Sequence, residues 1–407
     1  MPTCLICNNN YAPFISFGTM PIANNFLRPD QLDEEYFFEL QVGICLNCYM
    51  VQLVNQPSRE MMFHEDYAYY SSTSVRQVIH FKNFAESVIK DYCKSNNPFV
   101  VELGSNDGIM LQNFANAGIR HLGIEPSKNV AQVAIKKGIN TICDFFDEKL
   151  AMEIIKDNGM ADIIQAANVL CHIPYIHSVI EGIKTLLKPD GFFIFEDPYM
   201  VDILEKTSYD QIYDEHVFYF SISSVKFLFE QHNMELVDIK PLKVHGGSMR
   251  YFIAHKCKKS VSSRVKEQSD KESGMGLHSQ TIYNNFKQNV EKSKSDLIQL
   301  LKYVHLEQGK RIVGYGATSK STTITNYCGI NTSLVEFICD TTPSKQGKFN
   351  PGTHIPVKPY HEFSDNYPDY ALLFAWNHAE EIMAKEGKFH ESGGKWITYV
   401  PKVQVLE

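Results

Sequence analysis

The apolar positions of this chain fall into two similar rhythms, preceded by a segment rich in turns. "FVVELGSNDGIML", Phe99 to Leu111, is an apolar run, a glycine turn and the start of a helix. "HLGIEPS" is a second apolar run ending in an acid, and "ADIIQAANVLCHIP" is a third. "IKTLLKPDGFFIFEDP" reads as a helix, a Pro-Asp-Gly turn and a buried strand. With the helix-like "SVRQVIHFKNFAESVIKDYCK" before them, these runs predict a doubly wound, mainly parallel sheet. The rhythm returns at "RIVGYGATSKSTTITNYCGI", then "LVEFICDTTPSKQGK", a strand ending in Asp340, and "YALLFAWNH". Between the two, Lys256 to Ser279 is rich in Lys, Ser, Glu and Gln and reads as a linker or exposed loop. "TIYNNFKQNVEKSKSDLIQLLKYVHLEQGK" after it has helical periodicity. The fold class expected is α/β, divided at residues 1–72, 73–258, 259–300 (linker and helix) and 301–407.

Length and composition agree with several domains. A chain of 407 residues is long for one domain, and 44% hydrophobic with 21% charged residues lets each unit bury a core. A net charge of −8 opposes non-specific binding to a nucleic-acid backbone. No run of about 18 apolar residues predicts a membrane span, and "MPTCLICNNN" lacks the pattern of a signal peptide. The cytoplasm is therefore the expected compartment, where ten cysteines read as thiols or metal ligands.

Four of those cysteines are paired. Cys4 and Cys7 form one CxxC, Cys45 and Cys48 a second, with 37 residues between. Tetrahedral Zn²⁺ wants four soft ligands, and each CxxC turn offers two thiolates at a suitable separation. The intervening "YAPFISFGTMPIANNFL" belongs to a small module, to which a structural Zn²⁺ would supply folding energy. Four thiolates leave no open position for catalysis.

The first glycine turn, "VELGSNDG", places Glu102, Gly104, Asn106 and Gly108 after a strand. It is not GxGxxG, and it suits a cationic, phosphate-free cofactor better than a dinucleotide. Gly104 permits close backbone approach, and an acid favours the amino end of S-adenosylmethionine (SAM). Glu125 ends the next strand, where a carboxylate accepts from ribose hydroxyls. Asp144 and Phe145 are candidates for the adenine edge and face, and Asn168 for the cofactor crevice. In the later turn, "GYGATSK", Gly316, Ser319 and Lys320 fit a phosphate, although such a turn also serves plain helix–sheet packing. Lys345 and His354 of "PGTHIP" add polar groups suited to the same crevice. "HGGSMR" offers His245 and an arginine, Arg250, suited to a diphosphate or an interdomain contact. Tyr67, Tyr69 and Tyr70 in "HEDYAYYSSTS" could cap a substrate or simply pack between domains.

Taken in order, "CLIC…CLNC", "VELGSNDG", "YDEHVFYFS", "HGGSMR" and "GYGA…NYCGI…PGTHIP" resemble the sugar C-methyltransferases of deoxysugar biosynthesis, of the dTDP-4-keto-6-deoxyhexose 3-C-methyltransferase type. The likeness runs over nearly the whole chain. It implies a zinc-binding N-terminal domain, a central SAM-binding Rossmann-like domain and a C-terminal Rossmann-like domain, with a nucleoside-diphosphate sugar in the cleft between the last two. It also implies that Tyr213, Glu215, His216 and His172 form the active-site cluster. "GATSKSTTITN" departs from the more glycine- or alanine-rich stretch of many members.

The chemistry implied is removal of a proton alpha to a C4 ketone, followed by methyl transfer to the enolate. His216 suits the base by its intrinsic pKa, with Glu215 to orient its ring. Tyr213 and His172 are candidates to donate to the keto oxygen. Asp214 reads as structural or solvated. Competing readings are an NAD-dependent nucleotide-sugar oxidoreductase and a non-catalytic, zinc-scaffolded nucleotide-binding module. Nucleic acid and membrane are not expected partners, and a monomer is compatible with the sequence.

Overall fold

The computed structural model describes residues 1–62 and 70–406. The expectation for Tyr67 and Tyr69 lies outside the described residues.

Three sheets organise the chain. The first is antiparallel: Ala12–Pro21, Phe37–Ile44 and Val51–Leu53, closed by a fourth strand, Phe218–Tyr219, from far along the sequence. The apolar "VFYF" that follows His216, Val217 to Phe220, thus supplies the edge strand of the N-terminal module, and all four of its residues are buried.

The second sheet has seven strands. Five are parallel, in spatial order Leu187–Pro198, Ala161–Ala167, Phe99–Leu103, Arg120–Ile124, Thr141–Ile142. Met234–Leu242 and Ser248–His255 add an antiparallel hairpin at the Leu187–Pro198 edge. Phe99–Leu103 is buried at every position, as a strand covered on both faces must be. The strand order reverses on either side of it, which opens a crevice at its carboxyl end. The third sheet repeats this plan: Ile312–Tyr315 lies between Ile338–Cys339 and Tyr370–Leu373, all parallel, and a crevice opens after Tyr315.

One expectation needs correction. Ser263–Gly274, inside the stretch read as linker or loop, is a helix with Ser262 as its N-cap. Its buried Glu272 accepts from Tyr199 Oη (2.7 Å) and from Ile222 N (2.6 Å) and Ser223 N (3.0 Å). That carboxylate caps the helix Ile222–Glu230, whose first N–H groups lack partners within the helix. Few apolar residues were needed because a polar anchor docks the helix. The helix Gln280–Lys302 follows, as its periodicity predicts.

Candidate active site and zinc centre

The four N-terminal cysteines sit on two matching turns. Asn8 and Tyr49, each just after a second cysteine, have left-handed φ of 58° and 59°. Their amides donate back to the Cys4 and Cys45 carbonyls at 3.0 and 2.7 Å. All four sulfurs lie within 4.8 Å of one another, with Cys4–Cys48 at 3.5 Å and Cys7–Cys45 at 3.4 Å. Zn–S bonds of about 2.3 Å in a tetrahedron space the sulfurs by roughly 3.8 Å, so the set fits a structural Zn²⁺. Ile6 N and Gln52 Nε2 donate to Cys4 Sγ (3.4 and 3.0 Å), which favours its thiolate form.

A cavity of about 380 Å³ lies where the three parts meet, lined by residues from each. That volume is within the range of small-molecule sites. The central domain contributes Gly104, Asn106, Glu125, Asp144, Phe145 and Asn168. Gly104 has φ +63°, and a Cβ there would come within 2.4 Å of Val169 Cγ2, so only glycine fits. Asn106 and Asn168 also have positive φ, a conformation asparagine tolerates. Glu125 is buried and accepts from Asn106 N (3.0 Å) and Ser127 N (2.8 Å), which fixes its carboxylate at the strand end. Burial raises its pKa, against the pull of those amides. This part of the wall carries carboxylates and no Lys or Arg. It therefore fits a cationic, phosphate-free cofactor, and a dinucleotide pyrophosphate would meet like charge.

The stretch Gln211 to Ser221 brings Gln211, Tyr213, Glu215 and His216 to the same cavity. His216 is buried; its Nδ1 lies 2.9 Å from the Gln211 carbonyl and its Nε2 lies 2.9 Å from Tyr213 Oη. A carbonyl can only accept, so the proton sits on Nδ1 and Tyr213 O–H donates to Nε2. Desolvation, then the nearby His172, holds the His216 pKa well below its ordinary value. The ring is therefore neutral, with its basic nitrogen toward the tyrosine. The His172 ring stands edge-on to it, centroids 5.1 Å apart, and burial lowers the His172 pKa to about 4. Although Cys171, His172 and His216 have donor atoms close enough for a metal, both His216 nitrogens are committed to other partners.

Glu215 does not orient His216, as the sequence had led us to expect. Its Oε1 accepts from Asn24 Nδ2 at 2.7 Å, and its Oε2 lies 3.8 Å from His172 Nδ1. The orienting group is the Gln211 carbonyl. Asp214 is structural and not solvated: it is buried and accepts from Ala23 N at 2.9 Å.

His245, Lys320 and Lys345 line the cavity. Lys320 begins the helix Ser319–Cys328; desolvation lowers its pKa, and the buried Asp210 opposes this. Lys345 Nζ donates to the Ala317 carbonyl at 2.8 Å. His245, with φ +53°, meets Gln77 Nε2 at 3.0 Å through its Nε2.

Six expected residues fall outside the lining. Glu102 is buried beneath it, its pKa raised well above normal by desolvation, and so does not face a ligand's amino group. Gly108 packs near Ile139, and Gly316 near Ala375. Arg250 points inward, pairs with Glu196 (2.7 Å) and lies over the Phe84 ring, so it cannot hold a diphosphate. His354 pairs with Glu35 at 2.8 Å, joining the N-terminal and C-terminal parts. Tyr70 accepts from Asn129 Nδ2 (2.9 Å) instead of lining the cavity. Asn24, Gln77 and Gln211 are in the wall and were missed, because amides on irregular segments carry no local signal.

A zinc module and a cofactor crevice on a doubly wound sheet define a SAM-dependent methyltransferase. The family models and a full-length relative give the same class. Family models match in chain order: a zinc binding domain over residues 4–63, a methyltransferase domain over 73–239 and a C-methyltransferase C-terminal domain over 243–401. The C-methyltransferase NovU of Streptomyces niveus is 34% identical over 99% of this chain and 96% of its own. A ubiquinone biosynthesis O-methyltransferase of Ralstonia nicotianae is 29% identical, over 26% of this chain and 47% of its own. Among solved structures, the magnesium protoporphyrin IX methyltransferase of Synechocystis with bound SAM is 12% identical, covers 48% of this chain and 89% of that one, and has a TM-score of 0.35. This chain belongs to the C-methyltransferase family that includes NovU. The oxidoreductase and non-catalytic readings are thereby set aside.

Proposed function

We propose that the acceptor is a nucleoside-diphosphate 4-keto-6-deoxysugar, methylated at C3, and that His216 is the base. The observation that carries this is the Gln211–His216–Tyr213 chain of hydrogen bonds at the cavity wall. Carbon methylation needs a carbanion, and a ketone makes the neighbouring C–H acidic once charge on its oxygen is stabilised. SAM, when bound, supplies an electrophilic methyl group and leaves as a neutral thioether.

The chain's own residues do the rest. On substrate entry the Tyr213 hydroxyl turns from His216 Nε2 to the keto oxygen, which uncovers the lone pair. The C3 proton passes to Nε2, its electron pair moves into the enolate, and Tyr213 and His172 donate to the enolate oxygen. The Gln211 carbonyl stabilises the imidazolium through Nδ1–H. Lys320, Lys345 and His245 supply a cationic and hydrogen-bonding wall suited to a diphosphate. Burial of Glu215 and His216 helps keep water from the enolate.

Solvent exchange tests the base separately from methyl transfer. In D₂O, dTDP-4-keto-6-deoxyglucose should gain deuterium at C3 with the wild-type protein and not with His216→Asn. Exchange undiminished in the variant removes His216 from the role.

A further inference from the structure

Glu215 lies in the central domain, yet its short hydrogen-bond donor comes from the N-terminal module. Asn24 Nδ2 donates to Glu215 Oε1 at 2.7 Å across 191 positions of sequence. The segment carrying Asn24 is fastened on both sides. Ala23 N donates to Asp214 Oδ1 (2.9 Å), and the Ala23 carbonyl accepts from Thr322 Oγ1 (2.8 Å). Leu27 and Phe349 exchange two backbone hydrogen bonds of 3.1 and 2.8 Å. Phe26, between them, is buried, and Lys345 Nζ lies 4.8 Å from its ring centre. Asn24 is thus held at a fixed point between the catalytic stretch and the C-terminal domain. It also lines the cavity itself, whereas its neighbour Asn25 is exposed.

We propose that Asn24 is a positioning residue, an amide supplied by the zinc-bearing module to orient the active-site carboxylate of Glu215. The module would then be part of the active site and not only a folding unit. An amide suits the task, because it is neutral and its N–H must point at an acceptor-only carboxylate. Aspartate at this position would set two carboxylates within hydrogen-bond distance, where they can persist only by sharing a proton. The inference rests on the ketosugar reading only for its kinetic readout.

The test uses full-length, zinc-loaded protein with wild type, Asn24→Ala, Asn24→Asp and Asn25→Ala. Zinc content and SAM affinity should be unchanged in all four. With dTDP-4-keto-6-deoxyglucose as probe, Asn24→Ala should lose about 100-fold in kcat at every pH, on the scale of a lost positioning contact. Asn24→Asp should lose as much near neutrality but regain activity as pH falls, because a shared proton restores a donor to Glu215. Asn25→Ala should stay within about twofold of wild type. A kcat for Asn24→Ala within twofold of wild type overturns the proposal, as does a loss for Asn24→Asp that is the same at all pH values. If the wild type methylates no keto sugar, the ketosugar reading fails by itself. Asn24 is then judged by the Glu215 carboxyl titration, followed by ¹³C NMR and assigned with Glu215→Gln. Asn24→Asp should raise that pKa, and an unchanged titration overturns the proposal.

Discussion

At the scale of single residues, the proposed proton removal depends on a neutral His216 whose tautomer is fixed by the Gln211 carbonyl. His216→Asn should lower turnover at least about 1,000-fold, within the range for loss of a general base, and leave SAM affinity by calorimetry within twofold. Because the His216 pKa lies well below its ordinary value, the base is already free at neutral pH. The kcat/KM profile should therefore be flat through neutrality, with its acid limb displaced below the ordinary histidine range. An acid limb above pH 7 would assign the proton to another group. His172, held at about 4, bears on stability. Between about pH 6.5 and 4 the unfolded chain binds a proton that the folded chain does not, so this residue makes stability fall with falling pH. His172→Gln should remove up to about 1.4 kcal/mol per pH unit from that slope in urea melts. Sequence reached some of these residues and not others. The cysteines, Gly104 and Glu125 were legible because their chemistry follows from spacing or from a strand end. Arg250 was misread because charge alone does not tell which face of a strand it occupies. Asn24 was invisible because its partner is 191 positions away.

At the scale of elements, the helix Ser263–Gly274 shows how a polar anchor replaces an apolar face. Only Val265 and Glu272 are buried in it, so its sequence looks like a linker. Glu272→Ala should leave the amides of Ile222 and Ser223 and the Tyr199 hydroxyl without their acceptor. A loss of about 2–4 kcal/mol in urea unfolding is expected, the cost of stranding several buried donors. The strand Phe218–Tyr219 makes a similar point. Its apolar character is plain in the sequence, but its place as the fourth strand of the N-terminal sheet is not. Its pairing with Val51–Leu53 is a long-range choice that local periodicity does not encode.

At the scale of the molecule, three modules share one cavity, so removing zinc should act on chemistry as well as on folding. A thiolate-selective chelator should release one Zn²⁺ per chain and abolish turnover, because the module loses its folding energy together with Asn24 and the strand beside His216. Metal analysis and rate, followed together, check this; a fully active zinc-free protein would refute it. The α/β class and the order of the three modules were legible because hydrophobic rhythm and paired cysteines are local signals. Their convergence on one cavity was not. The proposed reaction of the whole molecule is methylation of a sugar carbon next to a ketone. Incubation with ¹³C-methyl-SAM and a panel of dTDP-, GDP- and CDP-linked 4-keto-6-deoxysugars, with products read by mass and NMR, tests it most directly. One sugar should gain a single methylene, with the labelled methyl bonded to C3. A methyl on oxygen, or no transfer to any keto sugar while SAM is bound, would contradict it.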